Sequence, residues 1–166
     1  MSAAFRVERL DARHDRSTFD SGSEPLDGYL RTQASQDMRR RVSTCYVLLD
    51  DGKAPIAGYY TLAAGSVPLN DLPEALAKKL PRYPSVPVAR VGRLAVGLAW
   101  RGRKIGSALI ADAALRVLRS DMGVFALAVD AKDDAAVAFY RHHGFVGLAS
   151  APRQLVLPLA SFVRGP

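Results

Sequence analysis

The chain predicts a mixed α/β domain in which helices cover a largely antiparallel sheet. Three observations carry this expectation. Strand-like apolar runs alternate with helical patterns along the chain. Two β-rich runs meet at Asp51-Gly52, a strong hairpin signal. A continuous apolar run, "GVFALAVDA" (123–131), has the composition of a strand buried on both faces. The expected order is strand, helix, two strands, helix, strand, helix, strand, helix, strand, in one domain over residues 1–166.

"FRVERLD" (5–11) alternates as a half-buried strand does. Helix start signals follow: Ser23 as N-cap, Pro25 near the first turn, acidic residues early and arginines late. Leu26, Tyr29, Leu30 and Gln33 then lie at helical spacing. "LPEALAKKL" (72–80) reads as a short helix, and "PRYPSVP" (81–87) as an extended, semi-rigid loop. "VARVGRLAV" (88–96) is a strand. The helix from about 104 to 120 is apolar nearly all round, with a polar stripe of Asp112, Arg116 and Arg119. "DDAAVAFYRHHGF" is a short helix ended by Gly144. "QLVLPLASF" is a last strand, with Pro158 suggesting a sheet edge.

At 166 residues and 49% apolar content, the chain can bury a core without disulfide or metal staples. Its net charge of +7 suits nucleic acid, an anionic membrane face or a polyanionic cofactor, and equally a soluble basic surface. Cys45, the only cysteine, lies in an apolar run and reads as a buried structural thiol. Arg6 and Glu8 interrupt any apolar leader, and no segment approaches the ~20 residues of a membrane span. A cytoplasmic location without membrane association is the expectation.

The chemistry concentrates in "GRLAVGLAWRGRKIGSALI" (92–110), a strand passing through a basic, glycine-punctuated turn into a helix. The first amides of a helix lack intrahelical acceptors, and the dipole is positive there. Gly102 and Gly106 let the main chain approach a ligand, while Arg101, Arg103 and Lys104 add full charges suited to a diphosphate. A solvated basic helix start explains the same residues. Neither a Walker loop nor a dinucleotide fingerprint is present. His142 and His143 are adjacent and project about 100° apart on a helix, so they do not converge on a metal, and none is expected.

Two motifs carry a resemblance. Arg101-Gly102-Arg103-Lys104-Ile105-Gly106 is similar to the acetyl-CoA signature Q/R-x-x-G-x-G/A of the GNAT N-acetyltransferases. Asp133, Ala136, Phe139, Tyr140, Gly144 and Phe145 match that superfamily's later motif N-x-x-A-x-x-F/Y-Y-x-x-x-G-F. Lys104 stands where the signature has its first glycine, and Asp133 replaces asparagine. Outside these motifs, "FDSGSEPLDGYLRTQASQDMRR" and the segment from Gly58 to Val96 resemble the GNAT toxins of toxin–antitoxin modules.

The resemblance implies a GNAT fold whose central strands splay around acetyl-CoA, with no metal. Leu94, Ala95 and Val96 would pair with the pantetheine arm; Arg101, Gly102, Arg103, Lys104, Gly106 and Ser107 would hold the pyrophosphate. Tyr140 would be the general acid that protonates the departing thiolate. The substrate implied is aminoacyl-tRNA, and the partner a ribbon-helix-helix antitoxin through which operator DNA is bound. A homodimer is the implied assembly. Arg82, Arg90 and Arg93 are the candidate tRNA contacts, with Tyr83 as a base-stacking or packed aromatic. Arg39-Arg40-Arg41 either grips phosphates or satisfies its helix end. Two other readings remain: a GNAT acting on small amines or protein N-termini, and a degenerate acyl-CoA-binding or DNA-associated module.

Overall fold

The computed structural model describes residues 5–51 and 53–164. The strands there are β1 (Phe5–Arg9), β2 (Thr44–Asp50), β3 (Lys53–Pro68), β4 (Ser85–Val96), β5 (Ala126–Asp130), β6 (Val146–Gly147) and β7 (Gln154–Pro158). They form one seven-stranded sheet in the order β1-β2-β3-β4-β5-β7-β6. The β1–β2, β2–β3, β5–β7 and β6–β7 pairs are antiparallel, and β4–β5 is parallel. The β4–β5 ladder covers Val88–Val91 only, so β4 runs on to Val96 after it stops. The chain organises into two compact units, one of residues up to Ala63 with Gly92–Asp112, the other of Ala64–Val91 with residues from Ala113 onward.

In the first unit, β1, β2 and the start of β3 form a meander. Its hairpin places Asp51 at φ 54, the left-handed conformation that tight hairpin turns require; Gly52 lies outside the described residues. The helical stretch is divided: α1 (Glu24–Gly28), a π-helical turn Tyr29–Gln33, then α2 (Ala34–Arg39). Ser23 sits at the N-cap, yet its side chain makes no capping bond there. At the other end Arg41 occupies the left-handed position usually given to glycine, at φ 61. The Val42 amide donates to Asp37 and the Arg41 amide to Met38, the two bonds of a Schellman motif. The basic run is thus a helix stop. Leu30, Ala34, Cys45, Val47 and Tyr59 are fully buried in this unit's core, and burial pushes the Cys45 thiol up to about 12, as a structural thiol requires.

In the second unit, Val86 and Val88 of β4 pack with Ala126 and Ala128 of β5 and Val156 of β7, beneath Leu69, Leu76 and Ala77. Helix α3 is only Glu74–Ala77, preceded by a 3-10 turn Leu69–Asp71, because Pro73 opens it and the chain turns away after Lys78. The proline-rich segment is a loop only to Pro84. Ser85, Val86 and Pro87 already belong to β4, and the Pro87 carbonyl accepts from the Phe125 amide. Strand β7 is internal, not an edge: β6 lies beyond it. Pro158 is tolerated because β6 reaches only Leu155 and Val156, leaving no ladder bond to lose opposite Pro158.

Helix α4 (Ile105–Arg119) starts in the first unit, where Ile105 and Leu109 are fully buried. Gly58 makes room for this packing: a Cβ there would stand 3.0 Å from the Ala95 carbonyl and 3.0 Å from Ile105 Cγ2. The expected polar stripe is modified. Asp112 is half-buried and accepts from the Tyr60 hydroxyl at 2.5 Å, while Leu115 and Leu118 are exposed.

Candidate active site

The basic turn follows β4 in the first unit. The Gly97 amide donates to Ala57 and the Leu98 amide to Asp20, which pins the 3-10 turn Leu98–Trp100 to the body of that unit. Arg101 to Lys104 are all exposed. Arg101 Nη2 donates to the Ser21 carbonyl at 3.2 Å. The Arg103 guanidinium lies 4.8 Å from the Trp100 ring centroid and 3.8 Å from Asp50 Oδ2. Both arginines are therefore anchored, while the turn between them stays open.

Gly102 has φ +79, and a Cβ there would meet nothing within 4 Å. Lys104 has φ 60. The lysine that stands at the signature's first glycine thus lies in the left-handed region, which a non-glycine residue reaches at a cost of roughly 1–2 kcal/mol. The turn survives the substitution with an added ammonium. Beyond it, the Ala108 amide is bonded to the Lys104 carbonyl, whereas the Ile105 and Gly106 amides stand in the first turn, where no intrahelical acceptor exists. Amides, dipole and cations together form a basic helix start of the kind that can hold an anion.

Upstream on β4, Leu94 and Val96 are half-buried and Ala95 is 4% exposed. The Arg93 amide donates to the buried hydroxyl of Thr61 at 3.1 Å. Its guanidinium lies 3.7 Å from the Tyr29 ring centroid. The π-helical turn is what a periodic sequence pattern does not reveal, and it is where Tyr29 sits.

In the second unit, α5 (Asp134–His142) carries Tyr140. Asp133 caps this helix, its carboxylate accepting from the Ala136 amide at 2.8 Å, a role aspartate fills as well as asparagine. The helix ends in a Schellman motif: the Phe145 amide donates to Tyr140, the Gly144 amide to Arg141, and Gly144 has φ +92. The associated apolar contact is the Phe145 ring against the Tyr140 ring, at 5.3 Å between centroids. Phe139 flanks the same ring edge-on at 5.3 Å. The spacing from Tyr140 to Gly144-Phe145 is therefore a device for holding one phenol rigidly.

The Tyr140 phenol is pushed up to about 12, first by burial and then by the Asp130 carboxylate. Asp130 is the functional candidate that sequence reasoning missed. It ends β5 and pairs with Arg90 at 3.3 Å, so Arg90 is engaged within the protein. Its position at the C-terminal end of a buried strand was the available signal. Arg82 stays exposed on the Pro81–Pro84 loop. His143 is half-buried, with Nδ1 2.8 Å from the Phe139 carbonyl. Among the described residues no cluster of three or more His, Cys, Asp or Glu is arranged to hold a metal ion, and no helix is long and apolar enough to cross a membrane.

An open mixed sheet, a basic amide-rich helix start and a tyrosine held by a helix stop are the parts that an acyl-CoA-type acetyltransferase domain needs. The acetyltransferase (GNAT) family model matches residues 8–145, and the chain belongs to that family. It is 36% identical over 159 residues to the tRNA-acetylating toxin of Mycobacterium tuberculosis, covering 95% of this chain and 93% of that protein. Among solved structures it is similar to AtaT complexed with acetyl-methionyl-tRNA, with TM-score 0.88 and 29% identity, covering 97% of this chain and 98% of that one. It is similar also to a mutant AtaT toxin bound to the C-terminus of the antitoxin AtaR and acetyl-CoA, with TM-score 0.79, 26% identity and 94% of each chain covered.

Proposed function

We propose that this chain is the toxin of a toxin–antitoxin module, a single acetyltransferase domain that moves the acetyl group of acetyl-CoA onto the α-amino group of an aminoacyl-tRNA. The observation that carries the reading is the open cationic cradle from Arg101 to Ser107, in a chain whose relatives include a tRNA-acetylating toxin. Acetyl-CoA supplies the acetyl group as a thioester. Arg101, Gly102, Arg103, Lys104, Gly106 and Ser107 hold its pyrophosphate, and Leu94, Ala95 and Val96 hold its pantetheine arm. A main-chain amide near Val96 faces the oxygen on which negative charge develops. The Gly97 amide is bonded to Ala57 and is not that donor.

The nucleophile must be a free amine. An α-amino group has a reference pKa of about 7.7–8.0, against about 10.4 for lysine, and esterification lowers it further. A sizeable fraction is therefore unprotonated near neutrality, and no strong base is required. As the N–C bond forms and the C–S bond breaks, the amine releases one proton to solvent, Tyr140 gives one to the departing sulfur, and the phenolate left behind regains a proton from solvent. The raised phenol keeps Tyr140 protonated across the working pH range. Arg82, Arg90 and Arg93 are the proposed tRNA contacts, with Arg90 acting as part of its pair with Asp130. The partners proposed are a ribbon-helix-helix antitoxin and, through that complex, operator DNA; the assembly is a cytoplasmic homodimer.

The test mixes the protein and labelled acetyl-CoA with charged tRNA, deacylated tRNA, peptides and polyamines in separate reactions. Label on charged tRNA alone, lost with Tyr140→Phe, is the expected result. Label on polyamines with charged tRNA untouched overturns the reading in favour of a small-amine acetyltransferase.

A further inference from the structure

A groove of about 510 Å³ lies in the second unit, between the 3-10 turn and α3 on one side and the Pro81–Pro84 loop on the other. Its walls include Leu69, Lys78, Arg82 and Tyr83, with Glu74 as the acidic member. Two cations against one carboxylate give it positive charge. Tyr83 is 67% exposed, an uncommon state for a large aromatic. Pro81 and Pro84 bracket it, and its amide donates to the Pro81 carbonyl at 2.9 Å, so the backbone that presents the ring is already ordered.

The groove also has a direction. Val86, Val88 and Arg90 alternate onto one face of β4, and Ala126, Ala128 and Asp130 onto one face of β5. Val86, Val88, Ala126 and Ala128 pack under Leu69 and Ala77, so this is the face that α3 covers. Arg90 and its partner Asp130 are the next residues of that same face, roughly 13 Å along β4 from Val86.

We propose that this groove is a subsite for an unpaired nucleotide of RNA, with its base stacked on Tyr83, its phosphate held by Lys78 and Arg82, and the strand leading along the sheet face to Arg90. The choice of RNA rests on the substrate proposed above. An exposed, pre-ordered aromatic beside cations is the arrangement that binds unpaired bases without reading sequence. A duplex end, whose bases are already stacked, has nothing to give Tyr83.

The experiment measures binding by fluorescence anisotropy, with an uncharged RNA hairpin bearing an unpaired 3′ tail, the same hairpin blunt-ended, and no acetyl-CoA. Tyr83→Ala weakens binding of the tailed hairpin about tenfold, near the low end of what one base–aromatic stack contributes, and leaves the blunt hairpin unchanged. Tyr83→Phe retains the ring and restores tailed binding. Arg82→Ala weakens binding and lowers the salt slope by about one. Because Tyr83 is exposed, its variants leave the core intact. Unchanged tailed binding by Tyr83→Ala, or equal weakening of both hairpins, overturns the subsite. Loss of antitoxin binding with RNA affinity unchanged assigns the groove to a protein partner and overturns it too. Uncharged RNA separates this outcome from the acetyl-transfer reading: tail-specific binding through Tyr83 stands even where no label reaches charged tRNA.

Discussion

The guanidinium of Arg93 stands 3.7 Å from the centroid of the Tyr29 ring. Tyr29 in turn donates its hydroxyl to Asp37 at 2.7 Å and packs near-parallel to Tyr59. One side chain thus joins the π-helical turn, the core and β4. Tyr29→Phe keeps the ring beneath Arg93 and removes the donor to Asp37, a loss of about 1–2 kcal/mol. Tyr29→Ala also empties a buried ring volume and costs about 3–5 kcal/mol. Arg93→Ala costs less than about 1 kcal/mol. Denaturant midpoints order the three, and an Arg93→Ala loss exceeding that of Tyr29→Ala contradicts this arrangement.

Two left-handed positions respond in opposite directions. Lys104→Gly relieves the strain at φ 60 and changes stability by about +1 kcal/mol or less, since the glycine also gains freedom in the unfolded chain. Gly144→Ala introduces the same strain at φ +92 and destabilises by about 1–2 kcal/mol. Gly144 ends the helix that carries Tyr140, so its variant also lowers acetyl transfer. Thermal unfolding read alongside acetyl-transfer rate shows whether stability and activity fall together.

Gly58→Ala drives a methyl to 3.0 Å from the Ala95 carbonyl, a backbone atom that has little freedom to move. The expected loss is about 1–3 kcal/mol. The start of α4 shifts with it, so affinity for acetyl-CoA falls more than for a distant variant of equal stability. Isothermal titration with CoA decides this. An unchanged dissociation constant in a destabilised Gly58→Ala separates the packing from the cradle.

On the general-acid role proposed for it, Tyr140→Phe lowers kcat by about 10²- to 10⁴-fold with the fold retained. The pH profile carries a second signature. The phenol stays protonated up to about 12, so activity rises with the free amine and shows no falling limb from Tyr140 at pH 8–10. The unfolded chain loses this proton near pH 10, at the reference value for tyrosine. Above that pH the unfolded state binds fewer protons than the folded one, and stability falls as pH rises toward 12. Asp130→Asn removes the nearby negative charge and moves the phenol down. Ultraviolet difference titration against Tyr140→Phe follows that proton; a titration unmoved by Asp130→Asn removes Asp130 from the site.

Local chemistry was legible because it is written in neighbours along the chain. The hairpin at Asp51, the basic turn into α4 and the stop at Gly144 each need only a few consecutive residues of the right type. Helical periodicity found α4, and a continuous apolar run found the burial of β5, for the same reason. What the sequence hid were matters of neighbourhood across the sheet. Pro158 looks like an edge residue, yet β7 is internal because the short β6 lies beyond it and stops before reaching that proline. Ser85–Pro87 looks like loop, yet these residues belong to β4, and the Pro87 carbonyl accepts from the amide of Phe125, the residue before β5.

The sequence by itself determined the family, the basic glycine turn that opens α4 and the glycine-ended helix that carries Tyr140, since each rests on short spacings that local backbone geometry turns directly into position. Tertiary structure alone decided that Arg93 rests on Tyr29, that Arg90 is paired with Asp130, and that Asp130 acts on the phenol of Tyr140. Those relations join residues distant in the chain. Their energies depend on separation and burial, which only the folded sheet supplies.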